Sequence, residues 1–387
     1  MPKSLLVQIE PAILKYARKY SGFSLEEAAN KNKISTNKLQ EYEDQKSDIP
    51  LSHLEKFAVA YKRPLAFFLL SQVPSDAVEP KDFRIVYTSE NELNFSPSEY
   101  LAIRRARYVQ STIAELADEK FDYKLPSISI QSDSEELGGW FRNYIGVELK
   151  TQHGWNNPSV ALRFWKNALE EKNIFILQHS LPKDDISGFC FVDKKPYIIL
   201  LNTAEHEYRR IFSLFHEVGH ILLHKSGICT PDDLSRNSYQ YKQIEKFCNQ
   251  FSASVLLPRG DFMADLDVIR MTQRPFSSWE DGELKEVARK FKVSKEVVLR
   301  KFLTLGYIKD QDYESRRKDW KKLSEEFKKP KKKELKIPQY LKALSQNGRG
   351  FTVFVLNQYH GNKISFSTAA EVLNLGPKHM ARLEAQL

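Results

Sequence analysis

Apolar residues at Ile211, Leu214, Phe215, Val218, Ile221 and Leu222 recur every three or four positions, the period of one buried helix face. The pattern predicts a helix that opens at Asn202, spaced with Glu205 like a capping box, and stops at Lys225 and Gly227. A second stripe, Ile244, Phe247 or Cys248, Phe251 and Val255, predicts a helix over about 239–257 that Pro258 ends. Ahead of both lie three short apolar runs that read as strands: Ile174–Gln178, Gly188–Val192 and Tyr197–Leu201. The last two form a hairpin around Asp193-Lys194-Lys195. An edge strand of that sheet could hold an extended peptide, though the sequence does not say which strand is the edge.

The rest of the chain reads as helical. Residues 8–72 predict a small bundle, with capping boxes at Ser24/Glu27 and Ser52/Glu55. Within it, Leu25–Ala29 leads through Lys33-Ile34-Ser35 into Thr36–Glu43, a helix-turn-helix pattern. If that pattern meets DNA, Thr36, Asn37, Lys38 and Gln40 are the reading side chains. The alternative is a bundle that docks proteins. Residues 71–95 read as a linker, and further helices are expected over 97–118, 134–144 and 159–172. Beyond Pro258 the pairs Val287-Ala288 and Ala369-Ala370 echo Ala28-Ala29, each before a turn and helix, but the irregular spacing excludes a solenoid. The fold class expected is α+β, mostly helical.

His216-Glu217-Val218-Gly219-His220 lies inside the first predicted helix and spells H-E-x-x-H. Residues four apart share a helix face, so both imidazoles can close on one metal ion, and zinc accepts such ligands. Glu217 points to a neighbouring face and is placed to act on an activated water. Gly219 leaves room for another backbone to approach. A catalytic zinc needs a third protein ligand. Glu245 on the second helix is the favoured candidate, because the small residues Cys248, Asn249, Ser252 and Ala253 allow close helix packing. Asp232 and Asp233 are the rivals, in what reads as a loop. His224 sits at the fraying helix end and reads as a partner of the last carbonyls.

The segments 196–202, 209–224 and 245–258 resemble the ImmA/IrrE family of bacterial zinc metallopeptidases. The resemblance is strong over about 170–305. It implies a zincin-like core with a small antiparallel sheet, Zn2+ held by His216, His220 and Glu245, and Glu217 as general base. It also implies an N-terminal helix-turn-helix of the Cro/repressor (XRE) type and a repressor-like protein substrate in stress or mobile-element control. Phe215 and Ser252 depart from the family pattern. So do Leu25, where the family has Gln, and the missing Gly after Tyr42-Glu43. The domains expected are 1–72 (helix-turn-helix), 73–168 (helical linker region), 169–306 (peptidase) and 307–387 (basic linker and C-terminal helices). The alternative reading is a DNA-binding regulator or antitoxin-like module whose zincin fold does not cut.

Composition narrows the setting. The 387 residues are enough for two or three cores, and no apolar run approaches a membrane span. No long apolar block opens the chain, which predicts a cytoplasmic location. Cys190, Cys229 and Cys248 are few and odd in number, which argues against a disulfide framework, and no C-x-x-C pair points to cysteine ligands. The net charge of +9 is concentrated in 313–336, with eleven basic and five acidic residues including KKPKKK at 328–333. That run reads as a solvated linker or as a sequence-blind nucleic-acid patch. No G-x-S-x-G, P-loop or dinucleotide fingerprint is present.

Overall fold

The computed structural model describes residues 5–44, 48–74, 96–118, 121–126, 128–182, 186–224, 227–229, 239–326 and 337–387. The 75–95 part of the predicted linker, the rivals Asp232 and Asp233, and the KKPKKK run lie outside the described residues. The chain divides into two compact units, Met1–Tyr108 and Val109–Leu387. No described helix is long and apolar enough to cross a membrane.

The first unit pairs strand β1 (Leu6–Gln8) with β2 (Asp48–Pro50) and packs helices α1 (Pro11–Lys19), α2 (Leu25–Asn32), α3 (Thr36–Asp44) and α4 (Leu51–Tyr61). Ile13, Leu14, Leu39, Leu54 and Phe57 fill its core. The Ser24/Glu27 capping box forms as expected, and Lys33 in the left-handed region turns α2 into α3. Ser52 and Glu55 make no such box. Helix α4 starts at Leu51, two residues before the His53 that a Ser52 cap would precede, with Pro50 before it and no side-chain cap. Arg18 on α1 fixes α3 by a buried bidentate pair with Glu43, at 2.7 and 2.8 Å.

Helix α5 (Pro97–Leu116) begins in the first unit and ends in the second. The second unit continues with α6 (Ser134–Ile145), α7 (Leu149–His153), α8 (Pro158–Glu170), strands β3 (Ile174–His179), β4 (Gly188–Phe191) and β5 (Tyr197–Asn202), and helix α9 (Glu207–Leu222). Strand β6 (Gly227–Cys229) and α10 (Tyr239–Leu256) follow. Then come α11 (Arg259–Ala264), α12 (Leu266–Thr272), α13 (Asp281–Phe291), α14 (Lys295–Thr304) and α15 (Asp310–Glu326). Helices α16 (Gln339–Asn347), α17 (Arg349–His360), α18 (Phe366–Val372) and α19 (Met380–Glu384) close the unit. The echoes at Ala288 and Ala370 are turned by left-handed Lys292 and Asn374, as Lys33 turns α2.

The sheet runs β3-β5-β4-β6. The β4–β5 hairpin is as expected, but β3 pairs with β5 in parallel, so the sheet is mixed rather than antiparallel. Parallel pairing buries both faces, and β3 and β5 are accordingly near-continuous apolar runs. Ile174, Ile176, Cys190, Ile199 and Leu201 alternate onto the face that shares a core with Phe215 and Val218 of α9. The sheet thus backs the helix that carries the H-E-x-x-H residues.

Helix α9 starts at Glu207 with His206 at its N-cap. Asn202 therefore does not cap it. Its Oδ1 accepts from Leu181 and Ala204 N–H, and its amide donates to the Ile186 carbonyl, tying the end of β5 to two loops. Glu205 likewise serves elsewhere, binding the Ser187 hydroxyl at 2.8 Å and Arg209 at 2.8 Å.

Candidate metal centre and its cleft

Helices α9 and α10 pack closely because small residues line their contact. A β-carbon at Gly219 would lie 3.1 Å from both Cα and Sγ of Cys248, tighter than carbon atoms normally approach. Ser252 Oγ donates to the Phe212 carbonyl at 2.8 Å one turn further along. The two helices are thereby held at a separation that lets short-reach side chains meet between them.

His216, His220 and Glu245 meet there, each under 5% exposed. His216 Nε2 is 3.1 Å from Glu245 Oε2, and His220 Nε2 is 3.3 Å from Glu245 Oε1. The two Nε2 atoms are 3.2 Å apart. Neither Glu245 oxygen has hydrogen-bond geometry to a described partner, whereas the two Nε2 atoms meet each other. Ligands on a tetrahedral ion at about 2.0–2.1 Å are separated by about 3.3–3.4 Å. The donor spacing therefore fits a zinc-sized cation.

The electrostatics agree. Burial alone would raise the Glu245 pKa, yet the His220 and His216 charges hold it far below the usual carboxylate range. Burial would lower both histidines, but Glu245 raises His216, and Cys248 with Glu245 raises His220. The three groups thus hold one another in their charged forms.

Two side chains organise this group. His216 Nδ1–H donates to Asn249 Oδ1 at 3.1 Å, which turns the Nε2 lone pair toward Glu245. Asn249 is four residues beyond Glu245, on the same face of α10. Cys248 is also here. Its sulfur and nitrogens of His216 and His220 lie within 4.8 Å of one another, and burial raises its thiol pKa. The sequence reading took both residues only as small packing groups. Asn249's role was available from its spacing, whereas Cys248 carries no motif.

Glu217 is fully buried on the neighbouring face of α9. It lies against β4, where a β-carbon at Gly188 would come within 3.5 Å of its Oε1. Gly188 points to the α9 side of the sheet, so its missing side chain leaves the space Glu217 uses. His224 is exposed, in the left-handed region past the end of α9, and does not join the cluster.

A cleft of about 680 Å³ opens from His216, Glu245 and Asn249, between α9, α10, α14 and α15. Phe212 and Arg209 continue one wall, and Arg300 and Tyr313 the opposite one. Nothing in the sequence linked these last two residues to the site. They arrive from α14 and α15, far along the chain.

In the first unit, Thr36, Asn37, Lys38 and Gln40 all fall on the first turns of α3, with Asn37 and Gln40 exposed. Lys38 pairs with Glu41 at 2.9 Å and sits over the Tyr42 ring.

Residues 169–303 match the Peptidase_M78 family, described as the IrrE N-terminal-like domain. The match covers β3 to β5, α9 and α10, and so includes His216, Glu217, His220, Glu245, Cys248 and Asn249. It supports a relationship to the ImmA/IrrE family and a metallopeptidase role. No curated protein and no solved structure matches the chain significantly.

Proposed function

We propose that the chain is a zinc endopeptidase in which His216, His220 and Glu245 hold the metal and Glu217 moves the protons. The observation that carries this reading is the convergence of His216, His220 and Glu245, all buried, at a spacing that suits a tetrahedral ion, with His216 and Glu245 lining an open cleft. Zinc bound there would polarise a substrate carbonyl and acidify a water. The Glu217 carboxylate takes the proton of the attacking water and returns it to the leaving nitrogen. Asn249 keeps the His216 ring from turning, and the sheet behind α9 keeps Glu217 against Gly188. We take the substrate to be a protein, which suits the peptidase-family match over 169–303, and a repressor-like target in the cytoplasm is part of this proposal.

The test uses the purified full chain. Metal analysis is expected to give one zinc per chain, with cleavage of unfolded proteins or of repressor-type DNA-binding proteins. Glu217→Gln is expected to keep the zinc and lose about 10²–10⁴ in rate. Full cleavage by that variant would remove Glu217 from the mechanism, and a zinc-loaded native chain that cuts nothing would end the peptidase reading.

A second reading rests on the first unit. Helix α3 follows α2 through a tight turn and exposes Asn37 and Gln40, which suits a helix entering a DNA groove. In that reading Thr36, Asn37, Lys38 and Gln40 contact bases or phosphates. Loss of sequence-specific duplex binding on replacing Lys38 and Gln40 by alanine is the expected result, and no specific binding by the native chain would discard it.

A further inference from the structure

We infer that the cleft recognises a carboxylate on its peptide through Arg300, close to the bond that is cut; this rests on the peptidase reading. The cleft's arginines are not equivalent. Arg209 is matched by Glu205 at 2.8 Å, and Arg317 by Glu296 at 3.1 Å. Arg300 has no ion pair with an acid among the described residues. It is held instead by neutral groups. Its guanidinium stacks over the Tyr313 ring at 4.6 Å and lies 5.8 Å from the Phe212 ring. One Nη2–H donates to the Tyr313 hydroxyl at 2.7 Å. Tyr313 is itself buried, and its O–H donates to Glu296 Oε1 at 3.3 Å.

This arrangement fixes the plane of the guanidinium and leaves its other donors for a ligand. A fixed, partly desolvated fork of this kind suits a carboxylate, which it meets with two parallel hydrogen bonds at little further entropic cost. The position fits a substrate contact. Phe212 is one turn before His216, and its ring is 6.5 Å from the His216 ring. An extended peptide advances about 3.3 Å per residue. Through Phe212 the guanidinium lies at most about 12 Å from the His216 ring, so a carboxylate within about four residues of the scissile bond reaches Arg300. Asp310 and Glu314 also line the cleft, as do Lys242 and Lys246, so a preference that belongs to Arg300 must be lost with its side chain and not with the cleft's charge as a whole.

Two sources can present the same group, an internal Asp or Glu side chain or the peptide's own C-terminus, and the experiment separates them. Dye-labelled, alanine-rich peptides are bound to the zinc-loaded full chain carrying Glu217→Gln, and followed by fluorescence anisotropy. One arm compares a single Glu with a single Gln, scanned through an amidated peptide. The other compares a free with an amidated C-terminus. In one arm the carboxylate peptide is expected to bind about tenfold tighter. Adding Arg300→Gln is expected to bring that ratio near one, and Arg300→Lys, which keeps the charge but loses the fork, to leave an intermediate ratio. No carboxylate preference in either arm, or a preference that survives Arg300→Gln, overturns the inference. Cleavage by the native chain is scored separately. Carboxylate preference without cleavage of any peptide would sink the peptidase reading and leave the Arg300 site standing. Cleavage without preference would do the reverse.

Discussion

Truncating Asn249 to alanine tests whether the cluster between α9 and α10 is a metal centre or only a buried ion pair. Asn249 Oδ1 is the acceptor for His216 Nδ1–H at 3.1 Å, and His216 is only 4% exposed. Removing the acceptor strands a buried donor, which costs about 1–3 kcal/mol. Asn249 is half-buried, so water reaching its place offsets part of that loss. The remainder falls mainly on the metal-bound state, because there the ring must stay fixed with Nε2 aimed at the ion. Loss of such a partner typically weakens metal binding by about 10–100-fold, or about 1.4–2.7 kcal/mol. The assay is a zinc competition titration against a chromophoric chelator for the native chain, Asn249→Ala and Asn249→Asp. The aspartate variant is expected to bind zinc at least as tightly as the native chain, since a carboxylate accepts the same hydrogen bond. If Asn249→Ala changes zinc affinity by less than about twofold, His216 is not oriented for a metal and the reasoning fails.

Two further predictions follow from the sheet and from its C-terminal neighbours. Gly188→Val introduces a β-carbon 3.5 Å from Glu217 Oε1 and 2.9 Å from the Leu200 carbonyl. Cleavage is expected to fall by about tenfold or more while zinc stays bound, and unchanged cleavage would show that Glu217 does not work against β4. Glu170, at the end of α8, accepts the Gly350 N–H at 2.9 Å, and burial pushes its pKa from 4.5 up to about 7. The folded state therefore holds a proton that the unfolded chain has released between pH 4.5 and 7, so stability falls as pH rises through that window, by up to about 3 kcal/mol. Glu170→Gln is expected to flatten this slope in denaturant midpoints measured at pH 5 and pH 7.5. An unchanged slope would assign the pH dependence to other groups.

The cluster of His216, His220 and Glu245 was legible because it is written in local spacings, and the far wall of the cleft was not because it is assembled across the chain. His216 and His220 share a face of α9, and Glu245 and Asn249 share a face of α10, so each half of the cluster follows from residues four apart. Gly219 marked where the halves would close, and Cys248 is what it meets. Strands β3, β4 and β5 could be read because their burial leaves nearly unbroken apolar runs, but the parallel pairing of β3 with β5 has no local signature. Asn202 misled for a related reason. Its side chain satisfies loop backbone from residues 181 and 186, a partnership that mimics a helix cap in sequence. Arg300 and Tyr313 lie more than fifty residues beyond Glu245 and reach the cleft only when α14 packs on α10 and α15 on α14. The two kinds of information are therefore separable by mutation. Changes on α9 and α10 should decide whether a bond is cut, and changes on α14 and α15 should decide which peptide is held beside it.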